Sequence, residues 1–148
     1  MTDLRRFVPA DAETIRKHLY PDLTTDGIER MIADWNRGVY EHRRFEMFAV
    51  TEDGRITGCA SLAERSKSVV SLGIEIFATE RGHGIASNAM PLLLAKAKEA
   101  GYRAVLDQVR TDNAASIRLH EAIGFETDGY VYRNQRDRDV VLYLKPLY

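Results

Sequence analysis

The sequence predicts an α+β domain in three layers: a mixed, mostly antiparallel sheet with helices on both faces. Three observations lead there. The chain has 148 residues, 45% of them hydrophobic, which suits one domain with a real core. Its middle third, 44–77, carries apolar residues at a period near two, broken by short turns. Its last third alternates helical and extended patterns, with glycines closing both helical runs.

The elements follow in order. Residues 4–8 read as a strand. Pro9 then suits a helix start, and Ala12, Ile15 and Leu19 define one face of a helix over 12–19, closed by Pro21. A second helix fits 26–35, with Ile28, Met31, Ile32 and Trp35 on one stripe and Gly38 beyond its end. Residues 44–50 form a strand, and Glu52-Asp53-Gly54-Arg55 is a turn signal before a return strand at 56–63. A turn at 64–67 leads to a third strand at 68–77, with Val69, Val70, Leu72, Ile74 and Ile76. A helix over 84–100 contains Pro91, which removes one backbone hydrogen bond and predicts a kink or a later start. Residues 102–109 form a strand, 113–123 a helix ended by Gly124, and 125–133 with 140–144 a final strand pair.

Composition excludes several classes. There are 21 basic and 22 acidic residues, a formal charge of −1, so no whole-protein field draws the chain to nucleic acid or membrane. Apolar runs are far shorter than the ~20 residues of a membrane helix, and the first residues show no signal-peptide core. Cys59 is the single cysteine, which rules out a disulfide framework or a cysteine-rich metal centre and suits a reducing cytoplasm. No metal is expected.

The segment Arg81-Gly82-His83-Gly84-Ile85-Ala86 follows a predicted strand and opens a helix. The first helical N–H groups lack intrahelical partners, and the helix dipole adds positive charge there. Two glycines let backbone approach a phosphate closely, and Arg81 adds a cation. A tight strand-to-helix turn needs the same residues. A Walker loop would require Lys followed by Ser or Thr where Ile85-Ala86 stands. A dinucleotide fingerprint would tolerate Ser87 and could use Asp107, but it belongs after the first strand of a parallel sheet, not after an antiparallel meander.

Arg81-x-x-Gly84-x-Ala86 resembles the acetyl-CoA signature of the GNAT family of N-acetyltransferases. About thirty residues on, Asn113-Ala-Ala-Ser116-Ile-Arg-Leu119-His120-Glu-Ala-Ile-Gly124-Phe125 is similar to that family's second motif. The element order matches as well. The resemblance implies an acetyl-CoA-dependent N-acetyltransferase acting on a primary amine, with no metal. A non-catalytic acyl-CoA-binding module is the alternative, because two expected catalytic residues differ. A homodimer is possible, as among relatives.

The resemblance also implies roles. Ile74, Glu75 and Ile76 would line a splayed strand that pairs with the pantetheine arm. Backbone from Gly82 through His83, Gly84, Ile85, Ala86 and Ser87 would hold the pyrophosphate, beside Arg81. Ala78 stands where relatives often carry proline. Asn113 and Ser116 would touch the cofactor, although Asn113 equally suits a helix N-cap and Ser116 a plain helix position. Ile76 N–H would donate to the developing oxyanion. His120 replaces the tyrosine that often protonates the departing thiolate, and would serve as acid or base or as an ordinary helix residue. Gln108 occupies a position where some relatives place a basic Glu, so Glu75 is the candidate base. Arg30, Trp35, Arg37, Tyr40, His42, Arg43 and Arg44 lie where the family walls its acceptor site, which predicts an acceptor bearing a negative group.

Overall fold

A computed structural model describes all of residues 1–148. The strands are β1 (Thr2–Arg6), β2 (Val39–Tyr40), β3 (Arg43–Glu52), β4 (Arg55–Glu64), β5 (Val69–Ile76), β6 (Ala104–Arg110), β7 (Tyr132–Arg133) and β8 (Asp139–Pro146). The helices are α1 (Ala12–Leu19), α2 (Thr25–Asn36), α3 (Ile85–Glu99) and α4 (Ala114–Ile123). One sheet runs β1-β3-β4-β5-β6-β8-β7, with β2 attached to β3. Every pairing is antiparallel except β5 with β6. The expected mixed, mostly antiparallel sheet is therefore present.

Strand alternation divides the core in two. Phe48, Ala60, Leu62, Val70, Leu72 and Val105 face α3 and α4 in the larger apolar cluster. Ala49 and Cys59 face α1 and α2 with Ile15, Ile28, Ile32 and Phe77. Helices thus cover both faces. No helix is long and apolar enough to cross a membrane.

Two expectations need correction. The first strand is Thr2–Arg6 rather than 4–8, because Leu4 pairs with Val50 and the chain leaves the sheet before Pro9. The segment 125–133 is mostly not strand: only Glu126 bridges to Leu144, and β7 begins at Tyr132. Thr127 and Asp128 side chains accept from the Gly129 and Tyr130 N–H groups, and Gly129 sits at φ +76°, so a turn interrupts the pairing. The helix α3 spans Ile85–Glu99 with Pro91 inside it, starting one residue after Gly84. Pro91 lies on the exposed side, while Ile85, Ala89, Met90, Leu93 and Ala97 anchor the buried side on the sheet.

Candidate active site

The strands β5 and β6 pair through two residues only, Val69 with Ala104 and Val70 with Val105, and then separate. Side chains continue the contact at the same offset. Ser71 Oγ donates to Leu106 O at 2.6 Å, and Leu72 N–H donates to Asp107 Oδ1 at 2.8 Å. Beyond them no strand lies beside β5 on this side. Leu72 N–H faces the gap, and alternation turns the Ile74 and Ile76 N–H groups the same way. Phe77 N–H faces the other way, onto Thr57 O, which agrees. Ile76 O already accepts from Arg81 Nε at 3.0 Å.

The close fit of β4 against the end of β5 depends on Gly58. A Cβ there would lie 2.9 Å from Ile76 Cα and nearer still to Glu75 O. Gly58 was not singled out from the sequence, where it reads as one small residue inside a strand.

The chain then enters the loop. A short 3₁₀ turn, Ala78–Glu80, is pinned by an ion pair between Glu80 and Arg55. Gly82 and Gly84 adopt φ of +83° and +75°, which favours glycine, and a Cβ on either would point into open space. His83 Nδ1 sits 3.1 Å from Glu80 O. Gly84 caps α3 with no side-chain bond, and the first helical bond runs from Asn88 N–H to Gly84 O. The Ile85, Ala86 and Ser87 N–H groups are left facing outward at the positive end of a helix with no acidic residue in its first turn. This cradle fits a phosphate group, and it stands directly beyond the splayed end of β5.

The second motif forms α4. Asn113 Oδ1 accepts from Ser116 N–H at 3.1 Å, so Asn113 is an N-cap. Ser116 is half-buried, and its carbonyl meets His120 Nδ1 at 2.8 Å. His120 Nε2 meets Asp107 Oδ2 at 2.8 Å. The sequence leaves His120 as an acid, a base or an ordinary helix residue. Its side chain is 6% exposed, and both ring nitrogens have partners within the protein. A carbonyl only accepts, so Nδ1 carries a proton, while Nε2 faces a carboxylate. Burial pushes the imidazole pKa down, but the bonds to Asp107 and Ser116 and the charge of Asp107 outweigh it, and the net shift is upward.

Asp107 was missed as a site residue. Its signal was present: Val105 and Val109 face the core, and period two puts Asp107 between them on the same buried face.

Glu75 projects to the opposite face of the sheet, exposed, with Cys59 as its cross-strand neighbour. Burial, then the charges of Cys59 and Glu75, raise the pKa of the Tyr20 hydroxyl at the end of α1. Burial, then the charge of Glu75, push the Cys59 thiol up to about 12.

The basic region expected around the acceptor is dispersed. Trp35 packs on Phe7 with ring centroids 5.4 Å apart. Trp35, Met31, Val39, Tyr40 and Phe45 line a groove of about 500 Å³ between α2 and β2 whose charges, Asp34, Arg37 and Glu41, are mixed. Arg37 pairs with Asp34. Arg44 pairs with Glu46 beside Arg6 and Phe48, on the face of α3, away from Glu75. No three His, Cys, Asp or Glu side chains are placed to hold a metal ion.

Comparison with known proteins agrees with this geometry. The family model described as an acetyltransferase (GNAT) domain matches residues 2–126. An L-methionine sulfoximine/L-methionine sulfone acetyltransferase of Salmonella typhimurium is 28% identical over 115 residues, 72% of this chain. The match spans 64% of that relative's length. A solved structure described as a probable acetyltransferase superposes with a TM-score of 0.85 at 23% identity, covering 98% of this chain and 92% of its own. The yncA protein of Salmonella typhimurium, solved with its cofactor acetyl-CoA, gives a TM-score of 0.74 at 18% identity, covering 100% and 95%.

Proposed function

The chain belongs to the GNAT acetyltransferase family, and from that premise we propose that it is an acetyl-CoA-dependent N-acetyltransferase acting on a primary amine. The observation that carries the reading is the uncapped start of α3 standing just beyond the splayed end of β5. Bound acetyl-CoA supplies an acyl group activated as a thioester.

The residues divide the work. The Gly82 to Ser87 backbone, with Arg81 beside it, binds the pyrophosphate. The Ile74 N–H pairs with the pantetheine arm as an added strand would. The Ile76 N–H donates where negative charge builds on the acyl oxygen. The exposed carboxylate of Glu75 takes the amine's proton, directly or through water, on the face away from the core. With its pKa near 12 the Cys59 thiol stays protonated, so it is no nucleophile, and the amine attacks the thioester directly. Asn113 and Ser116 flank the cofactor from the start of α4.

The acceptor is a small molecule or peptide amine. The name of the Salmonella relative makes amino-acid-like amines the first to try. The mixed charges of the α2–β2 groove and the position of Arg44 on the other face weaken the expectation of a strongly anionic acceptor. The reading includes a cytoplasmic setting, supported by the buried free thiol of Cys59. It also includes a homodimer through the last strands, supported by the exposed Tyr130, Val131 and Tyr132.

The test is thermal stabilisation followed by turnover. Acetyl-CoA should raise the melting temperature, while ATP and NAD should not. Acetyl-CoA should then be consumed with at least one member of a panel of amino acids, methionine sulfone, polyamines and peptides. Stabilisation without turnover across the panel would favour a non-catalytic acyl-CoA-binding module. Stabilisation by ATP or NAD alone would overturn the reading.

A further inference from the structure

The contact between Asp107 and His120 does more than fill space under α4. The register of β5 on β6 places Val69 against Ala104 and Val70 against Val105. Continued as a ladder, it would place Ser71 on Leu106 and Leu72 on Asp107. Those same pairs do meet, but through side chains: Ser71 Oγ to Leu106 O, and Asp107 Oδ1 to Leu72 N–H. Each bond inserts a side chain where backbone would otherwise meet backbone. The strands separate here because Ser71 and Asp107 stand between them as spacers.

A carboxylate spacer must itself be held. Asp107 is buried, and its second oxygen has one partner, His120 Nε2. The imidazole is fixed in turn by Ser116 O and boxed by Phe125, with ring centroids 4.7 Å apart, and Tyr143, at 5.4 Å. The bonded chain runs Leu72 N–H, Asp107, His120, Ser116 O, from β5 through β6 to α4. No buried side-chain nitrogen or oxygen in the protein lacks a partner. The last N–H consumed by this chain is that of Leu72, so the next donors along β5, Ile74 and Ile76, are left for a ligand.

We infer that Asp107 and His120 are a positioning pair which sets the width of the β5–β6 opening and thereby the fit of the CoA arm. His120 acts through Asp107 and not as the acid that protonates the thiolate. This rests on the acetyl-CoA reading of the loop and says how its other half is built.

The pair also makes the opening sensitive to pH. The groups facing His120 are Asp107 from β6, Ser116 from its own helix, and Tyr143 from β8, whose hydroxyl is directed to Glu121 on α4. When His120 loses a proton, one ring nitrogen turns a lone pair on an oxygen, either Ser116 O or the Asp107 carboxylate, and the brace loosens. In Asp107→Asn the amide Oδ1 still accepts from Leu72 N–H, and its NH₂ donates to a neutral His120. That variant keeps the spacer and removes the pH sensitivity.

The experiment is calorimetric titration of coenzyme A, without turnover, from pH 6 to 9, paired with hydrogen exchange of the Leu72 and Ile74 amides. Asp107→Ala should weaken CoA binding tenfold or more and speed Leu72 exchange. Asp107→Asn should bind within about threefold of wild type, with a flat pH profile where wild-type affinity falls on the alkaline side. Nitrogen NMR of His120 should show both ring nitrogens protonated in the wild type at pH 6. An Asp107→Ala or Asp107→Asn protein that binds CoA as wild type does, with an unchanged pH profile, would overturn the pair. So would His120→Phe losing turnover at unchanged CoA affinity and unchanged Leu72 exchange, the pattern of a general acid. The control is Gly84→Val, which should lose CoA binding: if it binds as wild type does, or if wild type itself fails to bind CoA, the loop reading falls instead.

Discussion

Replacing Gly58 by alanine tests how the site is positioned without substituting any residue proposed to react. The new Cβ would lie 2.9 Å from Ile76 Cα and 3.1 Å from Glu75 C, with Glu75 O closer. All three are backbone atoms, so no rotamer change relieves the clash. Carbon atoms sit comfortably at about 3.5–4.0 Å, so β5 must retreat by roughly 1 Å at Glu75 and Ile76. Overpacking of this kind costs about 1–3 kcal/mol. At about 2–4 °C per kcal/mol for a chain of this size, the melting temperature should fall by about 2–12 °C. Turnover should fall further than stability, because an error near 1 Å in positioning can cost about 100-fold. Gly73→Ala is the matched control: its Cβ meets only Ser61 Oγ, at 2.8 Å, and a hydroxyl can rotate away. The assay is a melting curve plus acetyl transfer at saturating acetyl-CoA on each purified variant. Gly58→Ala melting within 1 °C of wild type and turning over within about twofold would refute the argument that this glycine sets the site.

The other expectations concern single groups. Gly84→Val should abolish stabilisation by coenzyme A, which at a hundredfold excess over Kd is worth about 2.7 kcal/mol to a binding-competent protein; a retained shift in a folded variant would unseat the phosphate cradle. Glu75→Gln should lower turnover about 10²–10⁴-fold while leaving CoA affinity intact, read by steady-state kinetics beside calorimetry. Cys59→Ser should keep turnover within a few-fold in the folded protein, because a thiol with a pKa near 12 donates nothing to catalysis at neutral pH; a complete loss in a folded variant would point to a covalent route. The His120 pKa is raised in the fold, so its contribution to stability is fully present below about pH 6.5 and is lost as pH rises through the folded-state value. Urea titrations across pH 5–9 should show that loss in wild type and not in His120→Gln.

What was legible in the sequence followed from period and punctuation. Ile74 and Ile76 fall on one side of β5 because strands alternate, so Glu75 had to face the other way, and it does. Gly84 and Gly124 end or open helices at positive φ, as their places next to apolar runs announced. The run 125–133 was misread because its hydrophobic pattern masked the Asp128-Gly129 turn, which local side-chain bonds decide. Pro91 is accommodated inside α3, because it lies on the solvent side while the opposite stripe is buried on the sheet.

The two central features of the site were harder to see for a different reason. Gly58 and Asp107 each act on a residue of another strand, Ile76 and Leu72, and sequence period says nothing about what lies across a sheet. Asp107 did carry a local clue, since a buried carboxylate needs a partner, and only a cation or a set of donors can serve. The buried titratable residue of the second motif is His120, thirteen positions on and in the next helix. Read together, the two would have shown a bound pair rather than a free acid. A histidine standing at the place of a motif tyrosine is thus not evidence for the tyrosine's chemistry until the partners of both its nitrogens are known. On the positioning role inferred for it, those partners tie it to the strand opening, and the departing sulfur takes its proton from elsewhere, with water as the simplest donor.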